Sequence, residues 1–555
     1  MAKRLSITIA GAVSLGSYEA GVLYEVLDAI HQHNGDPATS PDDRIVIDVL
    51  TGTSTGGMTA IILAQKLLYS ADEFHGPYDN PLYNTWVKRV SLQGLQATQN
   101  DEAALNSLFS SNLMQTISKE ALLRRYMLSP PARSKRHASV GDEIRVGLAL
   151  TNLNGIAHDY SVTSGRKFVY IDYGDQMTRH IVSSDCDTEE FWEPLRQAAV
   201  ACGAFPVAFR VQDVQRSRRA ESHDYTGKNL KPWDRDPITY SYSDGGILQH
   251  QPLGIAKNLV DFIDQHLHQE SRFYLFVSPH AKDPNAIDTF HAANADHFHL
   301  LRRLISVTIG QSGFQDWITA EEINQRLTLL DDHAKGLKDA MLNGNIDATS
   351  LAKTSDSILQ LFFPNGKHLS PGALAPETLK QAQERIAIQY DEEVQQLSRT
   401  PGSADAFRDA VLAFETTAGL GARDHITIYG ITATESQLAG AGLEAFLGFF
   451  DQRFRDHDYD VGRTHARKIL IDPALGQPGE LGPIRYQGSS IRPIDSRLDG
   501  LKMSQVPNAD LHAFKAGMRK RLNEMLREMC GPVFSLPAVP GSDLILESIL
   551  DRMIS

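Results

Sequence analysis

The start of the chain alternates between strand-like and helix-like patterns of apolar residues. Residues 4–11, RLSITIAG, alternate apolar and polar side chains and are rich in β-branched residues, which predicts a strand. Residues 17–32 place apolar side chains on one helical face, residues 41–54 contain the continuous apolar run typical of a buried parallel strand, and residues 56–68 again indicate a helix. This strand–turn–helix order predicts an α/β fold with a doubly wound, mostly parallel sheet.

Further strands are expected beyond this first unit. The patterns at residues 144–153, 167–173, 272–279 and 425–433 are apolar and β-rich, which predicts four more strands. In contrast, the polar, mixed-charge run at residues 211–237 is typical of a surface loop or flap.

The character of the chain changes near residue 285, where long amphipathic helical patterns begin. We therefore assign residues 1–284 to an α/β domain and residues 285–415 to a mainly helical insertion or cap. Residues 416–555 are expected to form a returning strand and a C-terminal helical region that packs on the core. Nothing in the pattern indicates the role of residues 285–415.

Composition excludes some classes of partner. The chain has 555 residues and a net charge of −14, so no nucleic-acid partner is expected. An acidic protein also gains nothing from long-range attraction to anionic lipid, so any membrane contact would be apolar or locally basic. Peripheral membrane contact and homo-oligomerisation are left open.

We expect a cytoplasmic location. The basic and then apolar N-terminus is similar to a signal peptide, but polar residues between Ser14 and Glu19 interrupt the apolar run. No segment reaches the ~18 apolar residues that a membrane span needs. The cysteines show neither metal-ligand spacing nor a disulfide framework; they are Cys186, Cys202 and Cys530.

No metal or cofactor is expected. The densest group of histidines, His291, His297 and His299, lacks the i, i+4 pair that would place two ligands on one helical face. These residues are expected to be solvated or paired on a helix.

The stretch VLTGTSTGGMTA, residues 49–60, carries the first candidate for chemistry. It contains Gly-x-Ser-x-Gly, with Gly52 and Gly56 around Ser54, between a predicted strand and a predicted helix. This is the pattern of a nucleophile elbow, in which close backbone approach excludes side chains at the glycines. A flexible or phosphate-binding turn is the alternative.

A second glycine-bounded turn, AGAVSLGS at residues 10–17, also joins a strand to a helix. It matches neither a Walker A loop nor a dinucleotide fingerprint. Its backbone N–H groups near Gly11, Ala12 and Val13 are therefore candidates for an oxyanion hole, with the Thr55 N–H as a further donor. A tight turn without chemical role is the alternative.

Asp244 is the candidate base. It stands in SYSDGGIL, before Gly245 and Gly246 and after a β-rich run, so it can lie at a strand end. A carboxylate near a serine hydroxyl can take its proton directly. Taken alone, Asp-Gly more often marks a turn.

Together and in this order, the three stretches resemble the patatin-like phospholipase family over roughly residues 4–280. The resemblance implies a three-layer α/β/α fold and a serine lipid acyl hydrolase acting on membrane phospholipid or lysophospholipid through an acyl-enzyme. It implies Ser54 as nucleophile, Asp244 as base and the loop at Gly11, Ala12 and Val13 as oxyanion hole, without cofactor.

The chain departs from the family pattern in the loop that resembles the oxyanion hole. Ala12 and Val13 replace two glycines, and Leu15 stands where Arg or Lys is usual, which leaves the anchoring of the loop and the head-group preference open. His250 replaces an asparagine after Asp-Gly-Gly.

Residues 440–470 resemble the closing region of longer bacterial members of the family. Their charged side chains are expected to form intramolecular ion pairs, with an arginine that binds phosphate as the alternative. The residues in question are Arg453, Arg455, Asp456, Asp458 and Arg463.

Two other functions remain open. One is a Ser-His-Asp esterase, for which His250 or His280 could serve as the histidine. The other is a catalytically silent lipid-binding or scaffold protein that has kept the fold.

Overall fold

The computed structural model describes most of the chain, in two compact units. The described residues are 2–96, 107–128, 135–161, 167–218, 223–225, 235–249, 252–264, 272–281, 290–291, 297–368, 377–420, 428–471, 484–502, 505–506, 512 and 514–521. The first unit comprises Met1–Val260, Leu267–Phe314 and Ile428–Ser555, and the second Asp261–His266 and Gln315–Thr427. The boundaries predicted at residues 284 and 415 stay predictions.

The first unit is built on one mixed sheet with the order β10-β7-β1-β2-β3-β6-β5, and β4 pairs with the other edge of β3. The strands of the described chain are β1 (Lys3–Ile9), β2 (Ile45–Gly52), β3 (Val140–Ser161), β4 (Lys167–Val182), β5 (Gln212–Arg216), β6 (Ile238–Asp244), β7 (Arg272–Ala281), β8 (Lys367–His368), β9 (Glu377–Thr378) and β10 (Ile428–Thr434).

The five strands β10, β7, β1, β2 and β3 are parallel to one another along the order. Only the pairings of β3 with β4, β3 with β6, and β6 with β5 are antiparallel. The prediction of a mostly parallel α/β sheet is therefore confirmed. Its central strands have buried apolar side chains on both faces, such as the adjacent Val49 and Leu50 of β2, because helices cover both sides.

Helices follow the strands as the pattern predicted. Those that lie within the first unit are α1 (Gly16–Gly35), α2 (Thr55–Tyr69), α3 (Pro81–Tyr83), α4 (Leu92–Leu95), α5 (Asn112–Leu122), α6 (Glu189–Cys202), α13 (Gly442–Ala445) and α14 (Gln452–Ile471), and α7 (Leu253–Asp264) begins in it. No described helix is both long enough and apolar enough to cross a lipid bilayer.

The helical prediction for residues 285–415 is confirmed where the structure describes them. The helices are α8 (His297–Leu342), α9 (Ala348–Phe362), α10 (Leu379–Gln389), α11 (Asp391–Leu397) and α12 (Ser403–Thr417). The second unit has a core of its own, in which Leu327, Phe407 and Val411 are buried.

One prediction is wrong. Within the run assigned to a surface loop, Gln212–Arg216 form the edge strand β5, paired antiparallel with β6. Its exposed side chains, Asp213 and Gln215, alternate with buried Val214 and Arg216, so an edge strand with one open face carries polar residues that also favour a loop. Most of the remainder of that run lies outside the described residues.

The register of β3 brings two distant segments together. β2 runs parallel to β3 and ends with Gly52 opposite Leu148, while β6 runs antiparallel and ends with Asp244 opposite Leu150. The ends of β2 and β6 therefore meet head to head along one edge of β3. The turn after β2 and the turn after β6 must lie side by side.

Candidate active site

Ser54 occupies a strained turn between β2 and α2. Its backbone has φ 53° and ψ −127°, in a region that residues with a side chain rarely adopt. Such a conformation costs on the order of 1–3 kcal/mol and persists only where the surroundings impose it. Helix α2 begins at the next residue, Thr55, so the first free N–H groups of the helix lie beside the serine.

Gly52 and Gly56 permit this turn by the absence of their side chains. A Cβ at Gly52 would overlap the backbone of Gly56, and a Cβ at Gly56 would overlap the carbonyl groups of Ile9 and Ala10. The turn therefore packs closely against the end of β1. The same close approach holds at Gly245, where a Cβ would overlap the Ala149 carbonyl.

Cys202, to which the sequence analysis assigned no role, contacts the turn at Ser54. The Ser54 N–H donates to the Cys202 Sγ over 3.0 Å, and a Cβ at Gly57 would lie 2.5 Å from the same sulfur. The thiol is fully buried, and burial raises its pKa, so it is a neutral acceptor here. A lone cysteine at the end of an alanine-rich helix carries no local signal of such a contact.

The structure brings Ser54 and Asp244 together. The Ser54 Oγ donates to the Asp244 Oδ2 over 2.6 Å, and both side chains are buried, with 7% and 2% of their surface exposed. The second carboxylate oxygen accepts the Gly246 N–H at 2.7 Å. The Asp-Gly-Gly turn therefore fixes the orientation of the carboxylate toward the hydroxyl.

The burial of Asp244 changes the pKa of its carboxylate. Because desolvation disfavours the charged form, it raises the pKa of Asp244 to about 6, while the hydrogen bonds from Ser54 and Gly246 act in the opposite direction. At neutral pH the group is still mostly ionised, and it is a stronger base than an exposed aspartate. Perturbation of this kind is common at functional sites.

The loop predicted as an oxyanion hole lies against the same turn. The Ala12 N–H donates to the Thr55 Oγ1 over 2.9 Å, so this donor is engaged. Val13 has φ 50°, a left-handed conformation that is unusual for a β-branched residue. Gly11 links this loop to the end of β1.

An open, largely apolar cavity includes Ser54 in its wall. Val13 and Thr55 line it beside the serine, so the predicted loop and the helix start face the same space. Its apolar lining is typical of a site for a hydrocarbon chain. The other apolar residues of the wall include Met58, Trp86, Val90, Leu95, Met114, Val200, Phe205, Phe209 and Phe449.

The charged residues of α14 and its surroundings are mostly paired inside the protein. Arg463 and Glu25, both fully buried, form an ion pair with 2.9 Å between Nε and Oε2. Arg453 pairs with Asp451, and Asp456 with Arg492. Arg455 instead donates to the carbonyls of Val87 and Gly448. Asp458 accepts the N–H groups of Ala439 and Gly440 and also lies 3.1 Å from the His457 Nδ1.

The histidines of the alternative esterase cannot be placed in the site. His250 lies outside the described residues, and the side chain of His280, in β7, also lies outside the description. Among the described side chains, the group that hydrogen-bonds to the Ser54 hydroxyl is a carboxylate.

These observations define an α/β protein with a mostly parallel sheet. A strand-to-helix turn of this sheet carries a serine that is hydrogen-bonded to a buried aspartate. Residues 7–257, a little under half of the chain, match the family model of patatin-like phospholipase. The matched range includes both turns and the Asp-Gly-Gly motif.

A curated relative matches more weakly. It is the uncharacterised protein y4iI of Sinorhizobium fredii (strain NBRC 101917 / NGR234), with 23% identity over 322 residues. The match covers 46% of this chain and 45% of that protein, so the similarity spans about half of either. Its name attributes no activity to it.

Proposed function

We propose that this protein is a serine lipid acyl hydrolase of the phospholipase A or lysophospholipase type, acting through a Ser-Asp dyad and an acyl-enzyme. The observation that carries the proposal is the 2.6 Å hydrogen bond between Ser54 Oγ and the buried Asp244 carboxylate at the wall of an apolar cavity. We further propose that the protein is cytoplasmic and meets its substrate peripherally at the membrane surface.

In the acylation step, Asp244 accepts the Ser54 proton as Oγ attacks the ester carbonyl carbon of the lipid. The tetrahedral intermediate then collapses, its bond to the leaving alcohol breaks, and Asp244 returns the proton to that alcohol. A pKa of about 6 suits both roles, because the group is ionised at neutral pH and is still able to act as an acid.

The negative charge of the intermediate requires donors aimed at the carbonyl oxygen. Since the Ala12 N–H is engaged by Thr55 Oγ1, the N–H groups of Val13 and Thr55 are the simplest pair for this role. Both residues line the cavity beside Ser54, and the Thr55 N–H lies at the positive end of α2. Losing one such donor typically lowers kcat by ~10²–10³.

Deacylation repeats the sequence with water. Asp244 takes a proton from the water that attacks the acyl carbon, and the bond to Ser54 Oγ breaks. Asp244 then protonates the serine, and the fatty acid leaves. The apolar wall of the cavity holds the acyl chain in both steps, so a long-chain acyl lipid is the expected substrate class.

The test combines covalent labelling with product analysis on the full-length protein. A fluorophosphonate probe should label Ser54, and mixed vesicles of phospholipid and lysophospholipid should release fatty acid detectable by mass spectrometry. Ser54→Ala and Asp244→Asn should each lower release by at least about 10³-fold. Ser118→Ala, which changes a buried serine in α5, should leave release unchanged.

The same variants separate the two alternatives. If His250→Ala or His280→Ala is more damaging than Asp244→Asn, the protein is a Ser-His-Asp esterase. If well-folded wild-type protein is neither labelled nor active on any ester, a catalytically silent lipid-binding or scaffold role replaces the proposal.

A further inference from the structure

The loop at Val13–Leu15 is held by residues more than 400 positions away in the chain. The Ser14 hydroxyl accepts the Gly448 N–H at 3.1 Å and lies 3.5 Å from the Gly440 carbonyl, to which it donates. Ser14 is 2% exposed, so both backbone groups depend on this hydroxyl rather than on water. One side chain thus joins the loop to two points of a distant segment.

The distant segment is shaped for this contact. A Cβ at Gly448 would lie 2.5 Å from the Ser14 Oγ, and a Cβ at Gly440 would lie 3.0 Å from the Leu15 Cδ2. Leu15 is fully buried at this point. The position where the family usually has a cation is therefore occupied by an apolar contact with the segment.

A second layer of polar contacts holds the segment itself. Asp458, fully buried on α14, accepts the N–H groups of Ala439 and Gly440 at 2.7 and 2.9 Å. His457 lies between the carboxylates of Asp458 and Asp499, at 3.1 and 2.9 Å. Although burial opposes its charge, these two hydrogen bonds raise the pKa of His457.

The segment also reaches the cavity. Arg455 donates to the Gly448 carbonyl at 2.7 Å and to the Val87 carbonyl at 2.9 Å, which ties it to the chain around the cavity residue Trp86. Phe449, which follows Gly448 in the chain, is part of the cavity wall. Arg455, Gly448 and Phe449 all lie beyond the matched range 7–257, so residues outside the family match contribute to the cavity wall and its support.

We propose that residues 438–460, here called the clamp segment, hold the predicted oxyanion loop in its working conformation, and that Ser14 is the positioning residue that connects the two. The catalytic consequence rests on the proposed function. Val13 has the strained left-handed backbone, and it lies between two anchors: Ala12 bonded to Thr55 on one side and Ser14 bonded to the clamp segment on the other. Without the second anchor, Val13 can relax and turn its N–H away from the site.

The test compares Ser14→Ala with Ser118→Ala in the full-length protein. Ser118 is a matched control, because its buried hydroxyl also has one acceptor and one donor, the Gln115 carbonyl at 2.9 Å and Arg196 Nη1 at 3.0 Å. With p-nitrophenyl butyrate, Ser14→Ala should lower kcat by about 10- to 100-fold and leave KM within about twofold. Ser118→Ala should change neither constant by more than about twofold.

Hydrogen exchange gives a readout that does not need turnover. In Ser14→Ala, amides in the peptide covering residues 10–17 should exchange faster than in the wild type, and those in the peptide covering 438–450 should do the same. Exchange in both peptides should be unchanged in Ser118→Ala. A merely structural loss would instead lower the melting temperature and accelerate exchange across the whole first unit.

A double-mutant cycle tests the contact itself. Gly448→Ala inserts a methyl group against the Ser14 hydroxyl, so its effect on kcat should be smaller in the Ser14→Ala background than in the wild type. Additive effects, or wild-type kcat in Ser14→Ala with unchanged exchange, would overturn the clamp. Inactive, unlabelled wild type would overturn the proposed function, and the exchange data would then still decide whether the clamp exists.

Discussion

The Ser54 hydroxyl lies 2.6 Å from the Asp244 carboxylate although 190 positions separate the two residues in the chain. The cause is the long strand β3, which pairs with the end of β2 at Leu148 and with the end of β6 at Leu150. The spacing of two residues along β3, from Leu148 to Leu150, therefore sets the distance between the predicted nucleophile and the predicted base.

The rate of hydrolysis should follow the ionisation of Asp244. The base must be deprotonated to accept the Ser54 proton, and its pKa is raised to about 6, so kcat/KM should fall as the pH drops through about 6 and level off above about 7. The measurement is a pH profile with a soluble ester, with folding at each pH checked by circular dichroism. A midpoint near 4, the value of an ordinary aspartate, would contradict this environment for the base.

Asp244→Asn should make the protein more stable while it abolishes turnover. The folded-state pKa of about 6 lies above the value of 3.8 for the unfolded chain, so the charge on Asp244 costs stability increasingly between these two pH values and fully above about 6. The neutral amide removes a cost of about 3 kcal/mol at pH 8, since one pKa unit is about 1.4 kcal/mol. Urea unfolding should therefore show the gain at pH 8 and little gain at pH 4; an equal gain at both would point to another cause.

Cys202→Ala should slow the labelling of Ser54 and lower the free energy of unfolding. Cys202→Ser should show much smaller changes in both. Alanine leaves the buried Ser54 N–H without its acceptor, which costs about 1–3 kcal/mol, whereas a serine hydroxyl is still an acceptor. We expect slower fluorophosphonate labelling of Ser54 and a lower free energy of unfolding in the alanine variant. Identical labelling rates in the alanine, serine and wild-type proteins would show that the thiol does not position the nucleophile.

Val200→Phe should shift the acyl-chain preference. Val200 lines the cavity, so a larger side chain there reduces the space for a long chain, and kcat/KM for palmitoyl esters should fall about tenfold or more relative to acetyl esters. Val211→Phe is the control, because Val211 is 43% exposed and is not part of the cavity wall. A uniform loss across chain lengths would place the acyl chain elsewhere.

Much of the fold could be predicted from local pattern. The strands β1, β2 and β7 and the helices α1 and α2 have apolar patterns whose period, length and flanking turns indicate their secondary structure, and the mostly parallel sheet follows from their alternation. β5 was missed because an edge strand with one open face can carry the polar residues that also favour a loop. Its pairing with β6, rather than its composition, makes it a strand.

The supports of the site were harder to anticipate than its reactive groups. Ser54 and Asp244 stand in motifs whose glycines mark sharp turns, so the sequence could nominate them before their distance was known. Cys202 has no such mark, and its contact with the Ser54 N–H arises only when α6 packs beneath the elbow. The interaction of Ser14 with Gly440 and Gly448 likewise joins residues with no common motif.

By itself, the sequence determined the α/β alternation, the two glycine-bounded turns and the residues able to act as nucleophile and base, because backbone sterics and apolar period act over a few neighbouring residues. Only the tertiary structure decided that the hydroxyl meets the carboxylate, that a thiol supports the elbow, and that a segment beyond the matched domain closes on the loop at Val13. Those contacts depend on strand register and helix packing, which are set by the whole core rather than by any local stretch of chain.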